Sequence, residues 1–223
     1  MVLSASKRKD IEQDLALAMK IVNLYTRQHE NSLYELERKG YMSNKELYVR
    51  LHMGDVAEWF LAKYNHFVKL AEKRIPRPSK IEYPIWCSIS QKNCLKPIEK
   101  SLVYCLQVPE NEVIYFSGGK WDLVLNNLYI PLDKKDAERF EEQIQALGLE
   151  DGFQIIEGKY KGLYPNIESE IIHSWERIFN IDEWNIFDVQ ANLWQIKQEW
   201  VRHIIHPGED LFEIAADMAQ FDP

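Results

Sequence analysis

A chain of 223 residues that is 46% hydrophobic can bury a core without disulfides or metals, and its net charge of -8 excludes wholesale wrapping of nucleic acid or of an anionic membrane. Three cysteines, Cys87, Cys94 and Cys105, an odd count without CxxC spacing, exclude a disulfide framework and a zinc knuckle and point to a reducing, cytoplasmic setting. Charges interrupt the start where a signal peptide needs an apolar run, and no stretch approaches the ~20 apolar residues of a membrane span, so a soluble protein is expected.

In chain order, Ile11, Leu15, Ala18 and Met19 follow Ser6, a candidate N-cap, at helical spacing, which predicts an amphipathic helix over 8–20. Ile21 to Gln28 is rich in β-formers and predicts a strand, followed by a short helix from about Asn31 to Lys39 that Gly40 terminates. From Lys45 to about Lys73 the period is helical again, with Val56, Phe60, Tyr64, Phe67 and Ala71 as the apolar stripe and Lys63 off it. This stretch reads either as one helix or as two broken near Gly54, with Asp55 capping the second. Two prolines in Ile75 to Ser79 set a boundary, a candidate hinge between a helical N-terminal layer and a mainly β remainder.

Beyond it, Tyr83–Ile89, Leu102–Val108 and Glu112–Phe116 read as strands, and Trp121–Asn127 as a short helix. Asp133 is the expected N-cap of a helix reaching Leu147, and the glycine-rich stretch 148–166 reads as a long loop or flap. Ile171 to Phe179 reads as another helix. It leads into Phe187–Lys197, where Val189, Ala191 and Leu193 fall on one side and Gln190, Asn192 and Trp194 on the other. Such a strand has an apolar back for a core and an amide-bearing front for a ligand. Glu199–Ile204 is expected to extend or pair with it, and a short acidic helix follows Pro207-Gly208. The fold class is α+β, a helical N-terminal layer against a mostly antiparallel sheet, as one domain over 1–223.

No Walker loop, GxGxxG after a strand, HExxH, GxSxG or kinase set is present, and the six histidines offer no HxH pair, so no metal site is expected. Gly118-Gly119-Lys120 before a helix is either an anion-binding nest or a strand-to-helix turn that needs glycine. Cys94, between Lys92 and Lys96, has cations that could lower its pKa but no paired histidine.

Several segments resemble one family in order and spacing over about residues 22–204. They are Leu24-Tyr25-Thr26-Arg27-Gln28, Pro84-Ile85-Trp86, Val108-Pro109, and Ser117-Gly118-Gly119 with Trp121 and Val124-Leu125-Asn126. Ser174-Trp175-Glu176 with Ile178-Phe179, and Val189-Gln190-Ala191 with Trp194, complete the set. The family is the bacterial domain of unknown function 3841, whose name implies no activity. The chain departs from its pattern at Arg27, where an apolar residue is usual, and at Gly118-Gly119, which replace an aspartate–aromatic pair.

A wider resemblance is to ADP-ribosyltransferases of the DarT-like kind. Leu24 to Gly40 is similar to their first strand, helix and glycine, with Arg27 as the cation for NAD. Tyr83 to Ser90, with Ser88-Ile89-Ser90, resembles the strand beside nicotinamide, and Gln190-Ala191-Asn192 resembles the QxE strand. The resemblance implies NAD as cofactor, held by Arg27, Trp86, Ser88 and Trp121, with Gln190 and Asn192 in the catalytic positions. Asn192 stands where those enzymes carry glutamate, and an amide supplies no negative charge and no general base. Either Asp188 or Glu199 substitutes, giving ADP-ribosyl transfer or NAD hydrolysis, or the fold binds a nucleotide without that chemistry. The alternative is a non-enzymatic regulatory module of a defence or toxin system, docking a protein partner through exposed aromatics around Trp121 and Trp184.

Overall fold

The computed structural model describes residues 20–149 and 152–219. Six strands, β1 (Ile21–His29), β3 (Ile85–Ser88), β4 (Ser101–Pro109), β5 (Ile114–Ser117), β6 (Val189–Leu193) and β8 (Val201–Ile205), form one sheet in the order β5-β6-β3-β1-β4-β8. Every pairing in it is antiparallel. A two-stranded ladder of β2 (Tyr41–Met42) and β7 (Ile196–Lys197) stands beside it. The chain is thus α+β with a mostly antiparallel sheet. The helix expected over 8–20 falls, except for Lys20, outside the described residues.

β1 pairs with β4 along its whole length, from Ile21 opposite Pro109 to His29 opposite Ser101, and with β3 on its other side. A strand from the N-terminal third therefore sits inside the sheet, and the prolines of Ile75–Ser79 do not separate a helical part from a β part. The helices also fail to make one layer. α1 (Ser32–Lys39), closed by Gly40 at φ 74° with its amide donating to the Leu36 carbonyl, sends Leu36 to the back of the sheet. α3 (Ala57–Ala71) sends Phe67 to the front.

The back face carries Leu24, Ile85, Cys87, Tyr104, Leu106, Val189, Ala191 and Leu193, covered by Leu36, Met42, Ile196 and Trp200. The alternation expected of β6 is realised, with its apolar set in this core. The front face has two separate covers. Over β5, β6 and β3 lie α3, α4 (Gly118–Leu125), α7 (Pro165–Ser174) and the 3-10 turn Trp175–Phe179, which contribute Phe67, Trp121, Ile171 and Trp175. Over β1, β4 and β8 lie α8 (Leu211–Ile214) and α9 (Ala216–Ala219), whose Leu211 and Met218 pack with Ala215 on Tyr25, Val103, Cys105 and Ile205.

Several local expectations change. Of the two readings of the 45–73 stretch the broken one holds, with α2 (Glu46–Met53) and α3 joined by a 3-10 turn at Gly54–Val56, but Asp55 caps neither helix. Val56 is exposed, while Lys63 is buried. Val56 lies in the 3-10 turn and drops out of the expected stripe, while Phe67 and Ala71 in α3 are fully buried and Phe60 and Tyr64 half-buried, so the rest of the stripe is realised. The 148–166 stretch contains α6 (Phe153–Ile156), whose Ile155 is fully buried in the front core. β8 does not pair with β6 but crosses to the far edge beside β4. Asp133 caps α5 (Lys134–Gln145) as expected, its carboxylate accepting from the Asp136 amide at 2.8 Å.

Candidate functional site

Register puts the sequence-derived residues on one face. Ser88 is opposite Gln190 and Trp86 opposite Asn192 across β3 and β6, while Tyr25 is opposite Ser88 across β1 and β3. Arg27, two residues after Tyr25, shares that face. Trp86, Ser88, Gln190 and Arg27 are each half-buried, whereas Asn192 is fully buried. They occupy a strip between the two front covers, bordered by residues 90–97. Ser88 Oγ donates to the Asn93 carbonyl at 2.9 Å, and Arg27 Nη1 donates to the Lys96 carbonyl at 3.2 Å.

The wall of this strip is aromatic. Trp86 stacks on Trp121 at 5.3 Å between centroids, with Tyr64 at 5.4 Å, Phe67 at 5.0 Å and Phe116 at 5.2 Å from it. Each such pair contributes about 0.5–1.5 kcal/mol beyond the area it buries. Trp121 is only 6% exposed, so it backs Trp86 and offers no docking surface of its own, against the expectation of an exposed aromatic there. Burial raises the pKa of the Tyr64 hydroxyl, which keeps it neutral.

Two buried atoms of the wall have no hydrogen-bond partner among the described residues: Trp86 Nε1 and Asn192 Oδ1. The contrast with other indoles is direct. Trp175 Nε1 donates to the Leu128 carbonyl and Trp194 Nε1 to the Ile75 carbonyl, each at 2.9 Å. The Asn192 amide nitrogen donates to its neighbour's carbonyl on Ala191 at 3.0 Å, leaving the oxygen unmatched. Each orphaned polar atom costs about 1–3 kcal/mol.

The Gly118-Gly119 turn resolves as structure. Gly119 N–H donates to Asp188 Oδ1 at 2.7 Å, Gly118 N–H to the Asp188 carbonyl at 2.9 Å, and Lys120 N–H to Ser117 Oγ. The chain's own carboxylate thus fills the anion position at the start of α4. A Cβ on Gly118 would lie 2.8 Å from the Asp188 carbonyl oxygen and 3.0 Å from Gln190 Nε2. Since the first contact is backbone, Gly118→Ala is expected to cost about 1–3 kcal/mol, read as a lower urea midpoint at unchanged slope.

Asp188, one of the two acids considered in place of the missing glutamate, is therefore committed to capping α4. Glu199, the other, is exposed on the 3-10 turn Gln198–Trp200 before β8. Cys94 also departs from expectation: burial pushes its thiol up to about 12, outweighing the nearby Arg27. No cluster of three or more metal-ligating side chains occurs among the described residues.

Sequence reasoning missed a buried polar group beside Trp175. Lys63 donates to Asn127 Oδ1 and lies 4.6 Å from the Trp175 ring centroid, while Asn127 Nδ2 donates to Glu157 Oε2 at 3.0 Å. Burial lowers the lysine's pKa. Nothing in the α3 pattern marked it, because its neighbours come from distant segments.

The family model described as domain of unknown function 3841 matches residues 23–202, which hold the six sheet strands apart from the first two residues of β1 and the last three of β8. The chain belongs to that family. No curated protein and no solved structure matches it. The family's matched span includes every strip residue from Arg27 to Asn192, so the strip is part of the family's fold and not of a terminal addition. Among the described residues no helix is long and apolar enough to cross a membrane.

Proposed function

We propose that this family member is an ADP-ribosyltransferase-like protein that binds NAD or a related nucleotide along the front strip. The supporting observation is the convergence of Arg27, Trp86, Ser88 and Gln190 as half-buried residues on one sheet face between two helical covers. A dinucleotide needs a cation for its phosphates, an aromatic wall for a flat ring and amides for ribose hydroxyls. In this reading Arg27 takes phosphate or ribose, Trp86 and Ser88 flank the nicotinamide, Trp121 backs Trp86, and Gln190 holds a ribose hydroxyl.

The reading is one of binding first. Glycosidic cleavage passes through a cationic sugar that a carboxylate stabilises, and Asn192 supplies none while Asp188 is occupied by the Gly119 amide. ADP-ribosyl transfer or NAD hydrolysis would need an acid brought from elsewhere, such as Glu199. A thermal melt with millimolar NAD, followed by assay of free nicotinamide, tests both parts. At tenfold above the dissociation constant, NAD should stabilise the fold by about 1.4 kcal/mol and move the midpoint by a few degrees. Arg27→Ala and Gln190→Ala should each abolish that shift while the unliganded melt stays within about 1 kcal/mol of wild type. An unchanged NAD response in both variants would remove the assignment.

A second reading, a non-enzymatic interaction module, draws on Trp184, which is 49% exposed and edge-on to Tyr115 at 5.0 Å, with Phe187 exposed nearby in sequence. It predicts no NAD shift and a protein complex lost in Trp184→Ala.

A further inference from the structure

The orphaned pair of the aromatic wall has a specific complement. Trp86 and Asn192 are register partners across β3 and β6 and project from the same face. One presents an unmatched N–H donor and the other an unmatched carbonyl acceptor. The group that satisfies both is neutral and carries an acceptor and a donor side by side. A carboxylate fails because it has no hydrogen for Asn192 Oδ1 and would set its charge against that oxygen's lone pairs. An ammonium fails because it cannot accept from the indole. A primary carboxamide meets both demands, its oxygen accepting from Trp86 Nε1 and its NH2 donating to Asn192 Oδ1.

The surroundings select what the amide is attached to. The half-buried rings of Trp86 and Tyr64, 5.4 Å apart between centroids, and the half-buried Ser88 and Gln190 of the adjoining register border the pair, whose two atoms are closed to solvent. A ligand therefore reaches them only as a bordering side chain turns aside, and then lays a flat ring against aromatic faces. We propose that Trp86 and Asn192 form a carboxamide-reading subsite for an aromatic primary amide such as the nicotinamide end of NAD. This deepens the nucleotide-binding reading and rests on it for the rest of the ligand. It also gives Asn192 a task that glutamate could not perform: an ionised carboxylate there would be buried without a cation, whereas the amide is neutral and accepts one hydrogen bond. Asn192 is then a recognition residue for the amide and does not hold ribose.

The test is calorimetric titration and thermal melting of the full chain with nicotinamide, nicotinic acid, ADP-ribose and NAD, on wild type, Trp86→Phe and Asn192→Leu. Trp86→Phe keeps an aromatic ring and removes the donor together with part of the ring, so its unliganded melt is read beside its binding, and it stays informative if the leucine variant is altered in fold. The expected result is that nicotinamide binds, nicotinic acid does not, and Trp86→Phe weakens nicotinamide by about tenfold or more. In the absence of ligand Asn192→Leu should melt no lower than wild type, because it removes an unmatched buried atom. Binding of ADP-ribose and NAD without any nicotinamide binding would overturn the subsite and leave the nucleotide reading intact. Nicotinamide binding without ADP-ribose or NAD binding would sustain the subsite and overturn the dinucleotide. If none of the four binds and Asn192→Leu is clearly destabilised, the pair holds a structural water only, and both readings fall.

Discussion

Phe67→Ala should cost about 3–5 kcal/mol of folding free energy, the largest loss expected from a single core truncation here. Phe67 is fully buried where the front cover meets the sheet, with ring centroids 5.0 Å from Trp86, 5.3 Å from Trp121, 5.4 Å from Phe116 and 5.6 Å from Phe179. Truncation removes the ring area and also leaves a cavity, since four aromatic neighbours held by separate elements cannot all collapse into it. The urea midpoint should fall at unchanged slope, and Phe67→Leu should lose clearly less. A loss under about 1 kcal/mol for the alanine variant would mean that α3 does not clamp Trp86 against the strip.

Stability should also fall on acidification between about pH 6.5 and pH 4 through His66. Burial drives the pKa of this imidazole down to about 4, with Lys69, Lys63 and Lys73 adding to the effect and Glu176 opposing it. Its Nε2 is buried without a partner among the described residues, and its ring meets Trp175 edge-on at 5.1 Å. The folded pKa lies below the unfolded value of roughly 6.5, so the neutral ring is the form the fold accepts. Above pH 6.5 both states are neutral and the stability is full. Between the two pKa values the unfolded chain binds the extra proton, so stability falls as pH falls, by on the order of 3 kcal/mol in all. Glu35 and Asp136 act in a lower window. For each, burial alone would raise the pKa, but bonds from Lys39 and Lys45 to the first, and from the Leu132 amide, Tyr129 and Arg139 to the second, outweigh it and hold the carboxyl low. Their contribution is lost only as pH drops below the ordinary carboxylate range. Denaturant midpoints at half-unit pH steps should show the upper limb flattened in His66→Phe, and an unaltered limb would assign it to other histidines.

Much of the front strip was legible in the sequence because strand periodicity is local. Val189, Ala191 and Leu193 alternate with Gln190 and Asn192 without reference to any other segment, and the β1 stretch that carries Arg27 is marked by its run of β-formers. The glycine stop at Gly40 and the cap at Asp133 were readable for the same reason. What the sequence concealed depends on which distant groups meet. Asp188 reads as a free acid until it is seen capping α4 across from Gly119, and Trp121 as exposed until it is seen behind Trp86. Lys63 is buried because Asn127, Trp175 and Glu157 converge on it from three other segments. Local periodicity also could not show that β8 would cross the sheet to pair with β4, a choice set by the whole topology.

The most direct measurement of the central claim is a crystal structure of the chain grown with NAD. The account predicts the dinucleotide along the strip, with its phosphates or ribose at Arg27, a ribose hydroxyl at Gln190, and its amide between Trp86 Nε1 and Asn192 Oδ1. Ordered NAD elsewhere on the molecule, or a strip that stays free of it at saturating concentration, would contradict it.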